Sequence, residues 1–353
     1  MKKELLMASA LVSTLGAASV ANAVTATMSG HHDAGIMGAD YDTGTSDTIS
    51  TKTESSFSVS LSETTDGGVG VSTSFMLANE SDSGLHTAGF TLTFTDGSKL
   101  DLVNAGNAAK SHDISVPGGA GKAEGITVTS TNTAQTGLDF FGEDTGLGFE
   151  WHSASDFVAD GLKIGVSYSV DNGAGAGAST KLDSSWGLGA TYVTSAGDTT
   201  LTIGAGLADS DWKDTGNDPS NPSGGMHVGL SAVTGDLTVA VGYADGDKVA
   251  AGTTTNGEYE VADNTVSKIG VSYVTGDITL SAGFTSAEGM DSDTIGTKGT
   301  TTDGQDVTEA GISYAVASGV TANLGWKDVS STDEGGADQA GGTSWYIGAS
   351  MSF

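Results

Sequence analysis

Apolar residues alternate with small or polar ones along this chain at a period of two, in run after run. In Leu162-Lys163-Ile164-Gly165-Val166-Ser167-Tyr168-Ser169-Val170 the even positions are apolar and the odd ones small or polar, apart from the ends. Successive side chains of a strand point to opposite faces, so each run predicts a strand with one greasy and one wet face. Ten such strands are expected near 162–170, 185–194, 199–207, 226–233, 237–243, 267–274, 278–284, 309–316, 320–327 and 344–353. In the N-terminal half, strands are expected near 25–37, 53–62, 69–78, 87–94, 99–104 and 146–153, which makes sixteen.

The connections sort by length. Ser195-Ala196-Gly197-Asp198, Thr234-Gly235-Asp236, Thr275-Gly276-Asp277 and Ala317-Ser318-Gly319 are tight. Glycine supplies the positive φ that a hairpin needs, and Asp bonds its neighbouring backbone. Further short turns are expected at 63–68, 95–98 and 155–160. Between them come long polar connections near 208–225, 245–265, 286–306 and 328–343, rich in acid, as in Asp209-Ser210-Asp211 and Asp291-Ser292-Asp293. A soluble sandwich has no reason to sort its loops this way, whereas outer-membrane barrels have short periplasmic turns and long extracellular loops. The expected fold is therefore all-β: a transmembrane antiparallel β-barrel of about 16 strands. One connection, Ala105 to Thr145, is too long to be a structureless loop, and its natural place is folded into the lumen.

The two ends of the chain agree with export to a membrane. Lys2 and Lys3 precede an apolar run from Leu5 to Val20, followed by the small-x-small site Ala21-Asn22-Ala23. This is the pattern of a secretory signal peptide over 1–23, leaving a barrel of residues 24–353. No later stretch of about 18 apolar residues exists, which excludes a helical inner-membrane protein. The last strand alternates Trp345, Ile347, Ala349, Met351 and Phe353 with Tyr346, Gly348, Ser350 and Ser352, and ends on the aromatic. It resembles the C-terminal strand by which bacterial outer-membrane proteins are recognised for insertion.

The precursor has 13 basic residues against 44 acidic ones, a net charge of −31, and every basic residue is Lys. Without Lys2, Lys3 and Glu4 the balance is 11 against 43, or −32. Such a chain repels nucleic acid and gathers cations. Having no Cys, it has neither disulfides nor thiolate metal sites. The 54 Gly and 3 Pro suit many strands with a small inner face. An acidic, Gly- and Ser-rich composition also suits disorder, but disorder does not repeat apolar residues at period two.

Phe57-Ser58-Val59-Ser60-Leu61-Ser62-Glu63-Thr64-Thr65-Asp66-Gly67-Gly68, followed by Val69-Gly70-Val71-Ser72-Thr73-Ser74-Phe75, resembles the second strand and first periplasmic turn of alphaproteobacterial general-diffusion porins. Met28-Ser29-Gly30 and the terminal Phe353 match as well. The resemblance implies a sixteen-stranded barrel, a homotrimer set in outer-membrane lipid and lipopolysaccharide, and passive movement of small hydrophilic solutes and ions. It also implies that the third long loop narrows the pore. In that family acidic loop residues oppose a largely Arg cluster on the wall, and this chain has no Arg. The wall candidates here are Lys52, on the wet parity of Ser56, Ser58 and Ser60, and His31, opposite in parity to Met28 and Ile36. The loop candidates are Asp113, Glu124, Asp139, Glu143 and Asp144. Acidic loops with few basic partners predict cation preference. Trp151, Trp186, Trp326, Trp345, Tyr168, Tyr192, Tyr273 and Tyr314 are candidates for the aromatic girdles at the membrane interfaces.

Two rival readings remain on sequence grounds. A secreted or surface-layer β-rich protein stabilised by Ca²⁺ would also be acidic, Gly-rich and free of Cys. Its Gly-Gly-x-Gly-x-Asp repeat is approached only by Gly118-Gly119-Ala120-Gly121-Lys122-Ala123, which lacks the Asp. Acidic loop clusters such as Asp209, Asp211 and Asp214 are candidate Ca²⁺ ligands, and no other cofactor is implied. An outer-membrane enzyme finds no motif that brings Ser, His and Asp together, so no catalytic residue is assigned. His31-His32-Asp33 is not assigned to a metal, because neighbouring strand residues point to opposite faces.

Overall fold

The computed structural model describes residues 24–42, 47–78, 85–87, 89–103, 106–119, 136–141, 147–170, 181–213, 221–250, 260–290, 302–332 and 341–353. The expected signal peptide, 1–23, lies outside the described residues. The described strands are β1 (Thr25–Tyr41), β2 (Thr48–Thr64), β3 (Gly70–Ala78), β4 (Leu85–Thr87), β5 (Phe90–Thr93) and β6 (Lys99–Leu102). After the long connection come β7 (Gly148–His152), β8 (Leu162–Val170), β9 (Lys181–Ala196), β10 (Thr199–Lys213), β11 (Asn221–Thr234) and β12 (Leu237–Ala250). The chain finishes with β13 (Glu260–Thr275), β14 (Ile278–Met290), β15 (Thr302–Ala317), β16 (Val320–Thr332) and β17 (Gly342–Ser352). Apart from β4 and β5, consecutive strands pair antiparallel with one another, and β1 also pairs with β17. Both β4 and β5 pair with β3, so they are the two halves of one interrupted strand, and the closed barrel has sixteen.

Pairing of the first strand with the last closes the sheet on itself, the condition for a strand protein to cross lipid. The seam runs from His31 opposite Ser352 to Tyr41 opposite Gly342. It finishes on a reciprocal pair, with Gly30 N donating to Phe353 O (3.2 Å) and Phe353 N donating to Gly30 O (3.1 Å). The alternation read in the sequence maps onto outside and inside. Val239, Val241, Ile269, Val271, Leu280, Phe284, Ile312, Leu324 and Ile347 are exposed outward, while Ala240, Gly242, Val266 and Gly270 face in. The aromatic residues form two outer rows. Tyr192, Tyr273 and Tyr314 lie within a few residues of the tight turns, with Phe353 at the same end. The pairs Tyr168–Trp186 and Trp326–Trp345 lie towards the other end of the apolar band. Trp151 also faces out and packs edge-on against Phe157.

The tight turns gather at one end. Gly197-Asp198, Gly235-Asp236 and Gly276-Asp277 are two-residue loops, with φ of 61°, 56° and 58° at the glycine. A positive φ at the first loop position is what a mirror-image hairpin turn demands. The strands reach further into the opposite end than the alternation predicts. The expected strand at 237–243 continues to Ala250, and 309–316 begins already at Thr302. Beyond the apolar band both faces are wet, so backbone pairing continues there without any apolar alternation to announce it.

Candidate pore constriction

In the connection between β6 and β7, residues 106–119 and 136–141 lie inside the barrel, against the inner wall from β7 to β15. Its first anchors are polar. Gly106 N donates to Glu150 Oε2 (3.1 Å), and the Ser111 hydroxyl donates to Glu150 Oε1. Ala108 N donates to Ser167 Oγ (2.8 Å), and Asn107 Nδ2 to Ser185 Oγ (3.3 Å). His227 on β11 donates from Nε2 to Ala109 O (2.7 Å). Further on, Gly119 N donates to Glu309 Oε2 (3.2 Å) on β15. These bonds answer backbone and side-chain groups that would otherwise be buried unpaired between loop and wall.

The small inner face is what lets the loop come so near. A Cβ on Gly187, Gly189, Gly204, Gly242 or Gly270 would collide with Asn107, Ala108, His112, Leu138 or Pro117 respectively. An apolar seam fills the remaining space: Ala109, Leu138, Phe140 and Phe141 of the loop against Ala208, Ala244, Val266 and Ala287 of the wall. The lumen is therefore not a packed core. Among the described residues, the buried apolar cluster lies between this loop and the wall.

Of the candidate loop acids, Asp113 and Asp139 are described, whereas Glu124, Glu143 and Asp144 lie outside the described residues. Asp113 follows the 3-10 turn Lys110–His112 and sits 3.8 Å from His227 Nδ1, its Oδ1 accepting from Ile114 N (2.7 Å). Burial raises its carboxyl above the usual range and Asp139 adds to this, while His227, the Ile114 bond and Lys268 pull the other way. So Asp113 lies beside the wall residue His227, with about a quarter of its side chain exposed. His112 is held down to about 4 by burial, with His152 and Lys163 adding to the effect, and is neutral at neutral pH.

His31 and Lys52 are both on the inner face, as their parity predicts. His31 is opposite Ser56, and Gly35 is opposite Lys52. His31 accepts or donates a bond at 2.6 Å to Ser56 Oγ, and its Nε2 lies 3.8 Å from Asp33 and 3.7 Å from Glu54. In the closed strand order β1 and β2 stand across the barrel from β10 and β11, so this group lies on the wall opposite the described anchors of the loop. His32 faces outward and bonds Ser55 (2.7 Å), so the adjacent histidines do not converge. Parity also places Lys163, Lys268, Lys327, Glu150 and Glu309 on the inner wall, and none of these was singled out from the sequence. The signal was there: Lys163 occupies the wet parity of Gly165 and Ser167. Lys327 lies 3.8 Å from Glu309, directly across the ladder. Asp209 and Asp211 lie on β10 with outward parity, and Asp214 is outside the described residues.

A closed barrel with a loop laid inside it defines the class of outer-membrane channels. The chain belongs to the Gram-negative porin family, whose model matches residues 8–334. No curated protein is similar enough in sequence to be matched. Among solved structures, it is similar to an anion-selective porin from Comamonas acidovorans, at 14% identity and a TM-score of 0.63, covering 94% of this chain and 100% of that one. It is similar to OmpF of Salmonella typhi at 11% identity and a TM-score of 0.63, over 94% and 98%. OmpT of Vibrio cholerae, in its trimer form, matches at 13% identity and a TM-score of 0.61, over 95% and 100%. Family and fold are those of an outer-membrane channel for passive diffusion rather than of an enzyme. The family is that of Gram-negative porins as a whole, and the narrower alphaproteobacterial likeness stays a resemblance. The secreted, calcium-stabilised reading finds no support.

Proposed function

We propose that this channel is a general-diffusion pore for small hydrophilic solutes that prefers cations, and that it works as a homotrimer after removal of residues 1–23. The observation that carries the cation preference is charge. The mature chain has 43 acids against 11 lysines and no guanidinium. The wall facing the loop sets Asp33 and Glu54 around His31, a combination that favours cations in a narrow aqueous path. Since an anion-selective porin has a similar barrel, the sign of selectivity rests with these side chains and not with the architecture. The trimer is supported by the trimer form of the Vibrio cholerae neighbour.

Planar-bilayer recording of the purified protein in a potassium chloride gradient tests the reading. Steps that arrive in threes, with a reversal potential near that of potassium, are the expected outcome. A chloride-like reversal potential overturns the cation preference, and single steps overturn the trimer. The intact mass of the outer-membrane form tests the leader, with a chain starting at Val24 expected.

A further inference from the structure

We propose that His112 and His152 bind a divalent transition-metal ion of the Zn²⁺ type, which clips the inturned loop to the barrel wall. His112 belongs to the loop and His152 ends β7. Their rings lie 5.4 Å apart, and the residues are 2% and 8% exposed, so both are more than nine-tenths buried.

Each ring is held through one nitrogen. His112 Nδ1 bonds Thr191 Oγ1 (2.8 Å), and His152 Nε2 lies 3.0 Å from Glu150 Oε1. A carboxylate only accepts, so His152 carries its proton on Nε2 and its lone pair on Nδ1. The Thr191 hydroxyl can accept from His112 Nδ1, and in that tautomer His112 carries its lone pair on Nε2. Those two remaining nitrogens, His112 Nε2 and His152 Nδ1, are buried and have no hydrogen-bond partner among the described residues. Both border the same gap. A Cβ on Gly165 would stand 2.7 Å from the first and 3.0 Å from the second.

Two lone pairs facing one small space repel unless something electropositive sits between them. A proton is disfavoured there, because burial penalises an imidazolium. A metal ion meets the geometry, since Zn–N bonds need only about 2.0–2.1 Å from each ring and two further positions can be filled by water. A carboxylate behind a ligating imidazole is the usual orienting partner, and Glu150 stands in that place. Asp101 adds negative charge, its carboxylate lying within 4.8 Å of the ligand atoms of Glu150 and His152. Imidazole nitrogens select zinc, copper or nickel over magnesium and calcium. The bound ion would tie the Lys110–His112 turn to β7 and so fix the loop's height over the pore. The inference rests on the seat of the loop and not on ion preference, so the zinc and reversal-potential experiments fail separately.

The test is calorimetric titration of the EDTA-stripped, refolded protein in detergent with zinc chloride, and in parallel with magnesium chloride. One zinc per protomer and no magnesium are expected. His112→Gln and His152→Gln should each abolish the site, and Glu150→Gln should weaken it about tenfold. His32→Gln, on the outer face, should leave it intact. Zinc-edge X-ray absorption of the wild-type protein, which needs no variant to fold, should show two imidazole nitrogens. Absence of zinc binding, binding that survives in both His112→Gln and His152→Gln, or a spectrum without imidazole ligation would overturn the proposal and leave a bridging water as the occupant.

Discussion

Glu309 shows how one side chain can serve both the loop and the pore. Its Oε2 accepts from Gly119 N on the loop, while its Oε1 faces Lys327 at 3.8 Å. Both side chains are about a third exposed, so the ion pair itself adds little stability, about 1 kcal/mol at most. Its weight lies in the field along the water path. In Glu309→Gln the amide oxygen can still accept from Gly119, but Lys327 stands uncompensated, and the reversal potential in a salt gradient should move towards chloride. Lys327→Gln should move it the opposite way. Equal or same-signed shifts would mean that the pair does not sense permeating ions. Tyr346 makes a different residue-scale point. It interrupts the small, polar parity of the last strand, yet its ring is fully buried on the inner wall, against Gly35 and beside Gly348. In the sequence it reads as an exception; on the wall its neighbours are two glycines that leave room for it.

At the scale of elements, the loop and its glycine seat form a unit whose two halves are legible to different degrees. The seat is half visible in the sequence, because Gly187, Gly189, Gly204, Gly242 and Gly270 fall on the wet parity of their strands. Lys52 and His31 were legible for the same reason, since a period of two assigns a face without any knowledge of tertiary contacts. What the seat holds was not legible. The Ala109–His227 and Gly119–Glu309 bonds join residues over a hundred positions apart, and no local pattern encodes such a pairing. For the same reason the neighbour of Asp113 on the wall, His227, could not be read from the sequence. Two substitutions test the seat. Leu138→Ala removes a side chain 2% exposed in the seam and should weaken loop docking by about 3 kcal/mol, read as noisier open-channel current with barrel unfolding unchanged. Gly270→Leu places its side chain where the Pro117 carbonyl lies, so it should lift the loop and raise liposome-swelling rates for larger sugars. Unaltered size exclusion in Gly270→Leu would show that the loop does not set the limit.

For the whole molecule, stability comes from an inverted arrangement, with apolar residues outside against lipid and polar ones inside against water. Backbone pairing is complete only if the seam closes, so deleting Phe353 removes both bonds to Gly30 at once. That variant should fold and assemble more slowly, measured by the rate at which the heat-resistant species appears on gels. The inverted arrangement also makes a sharper prediction about two strand positions that face opposite ways. Val241 lies on the outer face of β12, paired with Leu230 and Ile269, whereas Ser281 lies on the inner face of β14. A lysine at the bilayer midplane of a barrel costs roughly 2–4 kcal/mol, because neither lipid nor a neighbour can solvate it. A lysine on the lumen side keeps its water. Val241→Lys should therefore lower the unfolding free energy in urea by about that amount and leave ion preference alone. Ser281→Lys should do the reverse, with stability nearly unchanged and cation preference reduced. If both variants lost stability equally, the water-filled interior would have to be abandoned, and the two faces of each strand would no longer divide between lipid and solvent.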